Sequence, residues 1–188
     1  MPCQRKVTYH EAMLVLSVAS YLLIAIGLLG ALDIAVFHTR SHNLRSQPSA
    51  RLELLTHSLR GPTYAVLFAV VPNFAAHGSW FLVMLLVLVF DVGISVWDFS
   101  VERRSRAPLG GLPTGEYVLH SIIAMLFGAF VACYCVGAAD WLKQDTAWVY
   151  EPNVPWPVQA MLAAMAVGVL VSGIQDALAV VKLGRGAR

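Results

Sequence analysis

Between Glu11 and Asp33 the chain carries no charged side chain. An apolar run of that length can cross the hydrocarbon core of a bilayer, which takes roughly 20 helical residues at 1.5 Å each. A backbone placed in lipid must satisfy its own N–H and C=O groups, so such a run is helical rather than open and extended. The rest of the sequence repeats the pattern. Apolar segments over 11–37, 51–76, 80–99, 116–142 and 157–182 predict an all-α integral membrane bundle of about five transmembrane helices, forming a single domain over 1–188. Composition agrees, since 58% of residues are hydrophobic and only 13% charged, whereas an average soluble domain is about 25% charged.

Polar residues and breakers punctuate these segments. Arg5 and Lys6 resemble the basic start of a signal peptide, but the apolar run that follows is too long and lacks a small-residue cleavage site, so a retained helix is expected. The first segment ends at His38-Thr39-Arg40-Ser41-His42. The second starts near Pro48-Ser49 and ends at Pro72-Asn73, with Pro62 as a potential kink. A short turn at His77-Gly78 implies that segments two and three are antiparallel neighbours. The stretch from Glu102 to Gly115 holds Arg103, Arg104 and Arg106 with Pro108, Gly110, Gly111 and Pro113, which predicts a surface loop with Thr114 as the cap of the fourth helix. Trp141, Trp148, Tyr150 and Trp156 suit a membrane interface. Gly27 with Gly30, and Gly168 with Ser172, have the spacing of helix-packing contacts.

Basic residues set the orientation. Arg40, Arg45, Arg51, Arg60, Arg103, Arg104, Arg106, Lys182, Arg185 and Arg188 fall on one side, against Arg5, Lys6 and Lys143 on the other. The excess predicts a multi-pass protein of the cell membrane with its N-terminus outside and its C-terminus in the cytosol. Topology accounts for these charges, so no nucleic-acid partner is expected. The expected partners are the bilayer and a lipid or other hydrophobic small molecule, and additional membrane subunits are compatible with the apolar exterior.

On that topology all five helices bring ionisable residues to the cytosolic leaflet. Seven of the eleven acidic residues gather there (Asp33, Glu53, Asp91, Asp98, Glu102, Glu116 and Asp176), with four of the six histidines (His38, His42, His57 and His120). Residues four apart share a helix face. Glu53 with His57 and Glu116 with His120 have that spacing, as do Asp98 and Glu102. Glu53, His57, Asp98, Glu102, Glu116, His120, His38 and His42 are therefore the candidate metal ligands, with Asp91 and Asp98 as candidate catalytic carboxylates. Soluble di-iron bundles use a related Glu-x-x-His spacing, shorter by one residue. A carboxylate and imidazole donor set suits iron first, with zinc or manganese as alternatives. Cys133 and Cys135, two apart in an apolar run, point to different helix faces and form no thiolate site. Asp91 lies well inside an apolar segment, where a charge costs roughly 2.5–3.5 kcal/mol, so it demands a metal, a proton or a partner such as Arg60.

These features predict a membrane metalloenzyme acting on a lipid or other hydrophobic substrate by oxygen-dependent hydroxylation or desaturation, or by hydrolysis. Three other readings fit the same residues. One is a proton- or ion-handling transporter module, against which the outer half offers few polar positions. Another is a haem-binding electron-transfer protein with His57 and His120 as axial ligands. The last is a non-catalytic subunit of a membrane complex, in which the acids and bases of this face simply pair.

Overall fold

The computed structural model describes residues 8–185. Cys3, Arg5, Lys6 and Arg188 lie outside the described residues. Five long helices dominate: α1 Tyr9–Asp33, α2 Arg51–Val70, α3 Ser79–Arg106, α4 Thr114–Gly137 and α5 Trp156–Arg185. A capping box starts α1, with the Thr8 side chain and Glu11 each satisfying the other's backbone N–H. The helix then passes without a break into a π-helical stretch, Ile34–Ser41. Short 3₁₀ turns, Leu44–Ser46 and Pro48–Ala50, lead into α2, with Pro48 where its missing N–H costs least.

Four helical stretches, Tyr9–Ser41, Ser79–Leu109, Thr114–Lys143 and Trp156–Arg185, are long and apolar enough to cross a membrane. The expected number was five. The shortfall is α2, whose first turns carry Arg51, Glu53, His57 and Arg60. The outer surface reverses the habit of soluble proteins. Leu86, Val89, Val96 and Leu178 are exposed, while Asp91, Asp98, Glu53, Glu116 and Arg106 are buried. On α3 one stripe at three- and four-residue spacing shows this directly. It begins apolar with Phe81, Met84 and Leu88 and continues as Asp91, Ile94, Asp98, Glu102 and Ser105.

Element boundaries differ from expectation in three places. Helix α3 continues through Arg106, so Glu102, Arg103 and Arg104 are helical rather than part of a loop. Chain reversal is left to Ala107–Leu109 and to Gly110 and Gly111, both at positive φ. Thr114 is the first residue of α4 and not its cap, a position held by Pro113 without a side-chain bond. At the opposite end α2 stops at Val70 instead of running to residue 76, and Phe74–Ala76 (β1), expected to be helical, pairs antiparallel with Trp148–Tyr150 (β2), Ala75 facing Val149. Asn153 ties this end together, its Oδ1 accepting from Ser20 and its Nδ2 donating to the Val71 carbonyl.

The helices pack as two groups, α1 with α4 and α2 with α3 and α5. Glycine permits a close approach of α2 to α5, where a Cβ on Gly61 would stand 3.0 Å from the Gly173 Cα. Of the glycines expected to be packing contacts, Gly27 is one, close against Met165 and Phe68, whereas Gly30 and Gly168 have open space where a Cβ would be. The main apolar core fills the half of the bundle near the β pair, and a smaller cluster of Leu44, Ala50, Leu54 and Ala179 closes the other end. Gly61→Leu should therefore cost about 1–3 kcal/mol through overpacking. Gly93→Leu, into open space, should leave the midpoint of thermal unfolding in detergent unchanged or raised. Equal midpoints for the two variants would contradict the Gly61–Gly173 contact.

Candidate metal centre

The buried ionisable residues meet between the two apolar clusters, and Arg106 lies at their middle. Its side chain is fully buried. The guanidinium donates to Glu53 Oε1 at 2.7 Å from Nη2 and 3.1 Å from Nε, and also to Glu116 Oε1. Ser105, its neighbour on α3, donates to the second Glu53 oxygen. One cation thus joins the first turns of α2 and α4 to the end of α3. His42 Nδ1 stands 3.0 Å from Arg106 Nη1 and 3.0 Å from the Phe37 carbonyl. The arginine donates to it in the tautomer that carries its proton on Nε2.

Beside this clamp sits a group of four side chains, Asp33, His38, Glu116 and His120, whose ligating atoms all lie within 4.8 Å of one another. The π-helical stretch explains how α1 supplies two of them. Its i→i+5 winding brings residues five apart onto one face, which an α-helix would not do. His38 Nε2 accordingly lies 3.1 Å from Asp33 Oδ2 and 3.4 Å from Glu116 Oε1. From α4, His120 Nε2 reaches Asp33 Oδ2 at 3.1 Å, while its Nδ1 is 3.2 Å from Glu102 Oε1. Two further groups share these residues: His38 with Glu53 and His57, and Glu53 with Glu102 and Glu116. The His38 and His57 rings are stacked, 4.7 Å apart and 8° from parallel.

Hydrogen bonding within the group is incomplete. Asp33 Oδ1 and Glu116 Oε2 are buried and accept no hydrogen bond, and His38 Nε2 and His120 Nδ1 make only contacts of poor geometry. Buried polar atoms are nearly always bonded, so these four call for a further partner, which a water, a proton or an ion can each supply. The buried carboxylate and histidine groups can hold a metal ion.

The remaining candidates are engaged differently. Asp98 accepts from Thr56 and lies 3.4 Å from His57 Nε2 and 3.7 Å from Arg60 Nη1. Asp91, fully buried, accepts from Thr63 at 2.7 Å and lies 3.9 Å from Arg60 Nε. Neither Asp91, Asp98 nor His42 belongs to the ligating groups, whereas Glu53, His57, Glu102, Glu116, His120 and His38 do. Asp176 pairs with Arg45 at 2.7 Å. Sequence reasoning named Asp33 only as an acid on this face, and placed Arg106 in a loop. A helical stripe from Glu102 to Arg106, four residues on, was the available signal for the arginine.

An apolar cavity of about 980 Å³ opens from the cluster and lies between the two helix groups. Asp33, His38, His57, Arg60, Asp98 and His120 line its polar end, and Phe68, Phe127, Val131 and Met165 its far end. A groove between α3 and α4, walled by Phe99, Tyr117, His120 and Ala124, adjoins it.

Comparison with family models, curated proteins and solved structures finds no match to this chain. Fold and site together define a membrane-type helical bundle with a buried carboxylate and histidine cluster able to hold a metal ion. Within that cluster Arg106→Met should destabilise the protein by about 3–5 kcal/mol, because it strands Glu53 and Glu116 without a counter-charge. Adding Glu53→Leu should recover part of the loss. Denaturant melts of the single and double variants check this, and additive losses would contradict a shared clamp.

Proposed function

We propose that the protein is an integral membrane metalloenzyme acting on a lipid or other hydrophobic substrate at the cytosolic leaflet. The observation that carries this reading is the group Asp33, His38, Glu116 and His120, four buried ligands from α1, its π-helical extension and α4 with unpartnered oxygen and nitrogen atoms. The arginines paired at this end, Arg45, Arg60 and Arg106, engage Asp176, Asp91, Asp98, Glu53 and Glu116, whereas Asp33 and Glu102 are paired with His38 and His120, whose ring nitrogens can take either a proton or a metal. The donors are hard oxygens and imidazole nitrogens. Cys133 and Cys135 lie further along α4, about 20 Å of helix from His120. Iron fits this set, and zinc or manganese also match its chemistry. Iron would supply oxygen-dependent hydroxylation or desaturation, and zinc an activated water for hydrolysis.

Orientation rests on exposed basic residues. Arg40, Arg51, Arg103, Arg104, Lys182 and Arg185 surround the metal-binding end, and Lys143 lies at the other. The positive-inside tendency puts the first end in the cytosol. A transport reading finds less support, because Leu23, Ile26, Leu67, Phe68, Leu88 and Phe130 fill the core between Asp91 and the Asn153 end.

Elemental analysis of the purified protein tests the proposal. Near-stoichiometric iron, zinc or manganese is expected, with content reduced in His38→Ala and His120→Ala and metal affinity, read by chelator competition, lowered at least about tenfold, since loss of a direct ligand costs at least what loss of its supporting shell does. His77→Ala, at the opposite end, should retain the wild-type content. Protein that takes up none of these metals, or variants that keep full occupancy, would overturn the assignment.

A further inference from the structure

The cavity beside the metal-binding cluster has a direction, and that direction specifies a substrate. Its polar end contains Arg60, whose Nε is buried without a hydrogen-bond partner and whose guanidinium stands 3.7 and 3.9 Å from Asp98 and Asp91. Arg60 Nη2 donates to the Tyr64 hydroxyl at 3.2 Å, while Nε faces Asp91 Oδ1 at 3.9 Å, too far for a hydrogen bond. Away from this end the walls are apolar as far as Phe127 and Val131. From His120 to Val131 the α4 wall runs about 16 Å at 1.5 Å per residue. One leaflet's hydrocarbon is of similar depth, about half of a 30 Å core.

Glycines give the cavity its width. Gly30, Gly128 and Gly168 come from α1, α4 and α5, and each lies on a wall-forming stripe, Gly128 between Ala124 and Val131, and Gly168 between Met165 and Ser172. At none of the three would a Cβ meet another atom within 4 Å. They therefore serve no close helix contact, unlike Gly61 and Gly173, and what they provide is room. Val92, Val96 and Phe99 are exposed along the α3 side, so the opening faces where lipid tails would be. The size is within the range of small-molecule sites.

We propose that this cavity takes a single fatty acyl chain, its carbonyl end beside Arg60 and the metal-binding cluster and its methyl end at Phe127 and Val131. The proposal rests on the metalloenzyme reading for what happens at the carbonyl end, and it places any reaction on the head-proximal carbons or the acyl linkage rather than at the chain terminus. The chain would lie parallel to those of the cytosolic leaflet and reach its place laterally, between α3 and α4.

Photolabelling of the full chain in phosphatidylcholine nanodiscs tests this with two palmitic acid probes, one carrying a diazirine near its methyl end and one near its carboxyl end. The methyl-end probe should label residues 123–131 and the carboxyl-end probe residues 57–60 and 95–99. In Gly128→Leu and Gly168→Leu labelling should fall roughly tenfold, the loss expected when about two methylenes are forced out of apolar contact. Leucine also favours helix over glycine, so these variants should fold. Their metal content should be unchanged, which separates failure of this proposal from failure of the metal site. A reversed labelling pattern, labelling confined to the outer surface around Leu86 and Val89, or undiminished labelling in both leucine variants would overturn it.

Discussion

A charge moved from water into an apolar interior has to be met there by an opposite charge, a proton or a metal, and this structure is arranged around that requirement. Glu53 and Glu116 are buried at the starts of α2 and α4, and Arg106 at the end of α3 reaches both. Buried ion pairs of this kind add little net stability over an apolar replacement, but breaking one is costly. The clamp therefore fixes which helix ends must stand together. Once those ends are joined, His38, Asp33 and His120 fall within reach of Glu116, and Glu102 within reach of His120. The ligand cluster is thus a consequence of the same geometry that neutralises the glutamates.

The two helix groups supply the second half of the design. They are joined by polar contacts at the cluster and by the β pair with Asn153 at the far end, and the cavity lies between them. An apolar chamber that ends in carboxylates and imidazoles places room for a hydrophobic molecule beside side chains able to hold a metal ion. Apolar side chains on the outside and paired charges on the inside are what a bilayer solvent selects.

Much of the helical layout was legible, because uninterrupted apolarity between Glu11 and Asp33 leaves a membrane chain few alternatives. Pro72-Asn73 marked the break after α2, although the apolar run over 51–76 carried the expected helix past its end at Val70, and the i,i+4 spacing of Glu116 and His120 placed both on one face. Other features were not. Arg103, Arg104 and Arg106 read as a surface run, and only tertiary burial distinguishes Arg106 from its exposed neighbours. Asp33 and His38 are five apart, a spacing that shares a face only in a π-helix, and nothing local in Ile34–Ser41 announces that winding. Gly30 and Gly168 were misjudged while Gly27 was not, because sequence spacing cannot tell a glycine packed against a neighbouring helix from one that leaves space.

On the proposed function, imidazoles and carboxylates, and no thiolate, hold a metal inside the bundle. X-ray absorption at the K-edge of the metal retained by the purified protein addresses it most directly. The expected result is a first shell of nitrogen and oxygen at about 2.0–2.2 Å with the outer-shell scattering of histidine rings, and no sulfur near about 2.3 Å. A sulfur shell, or an oxygen-only shell without histidine scattering, would contradict it.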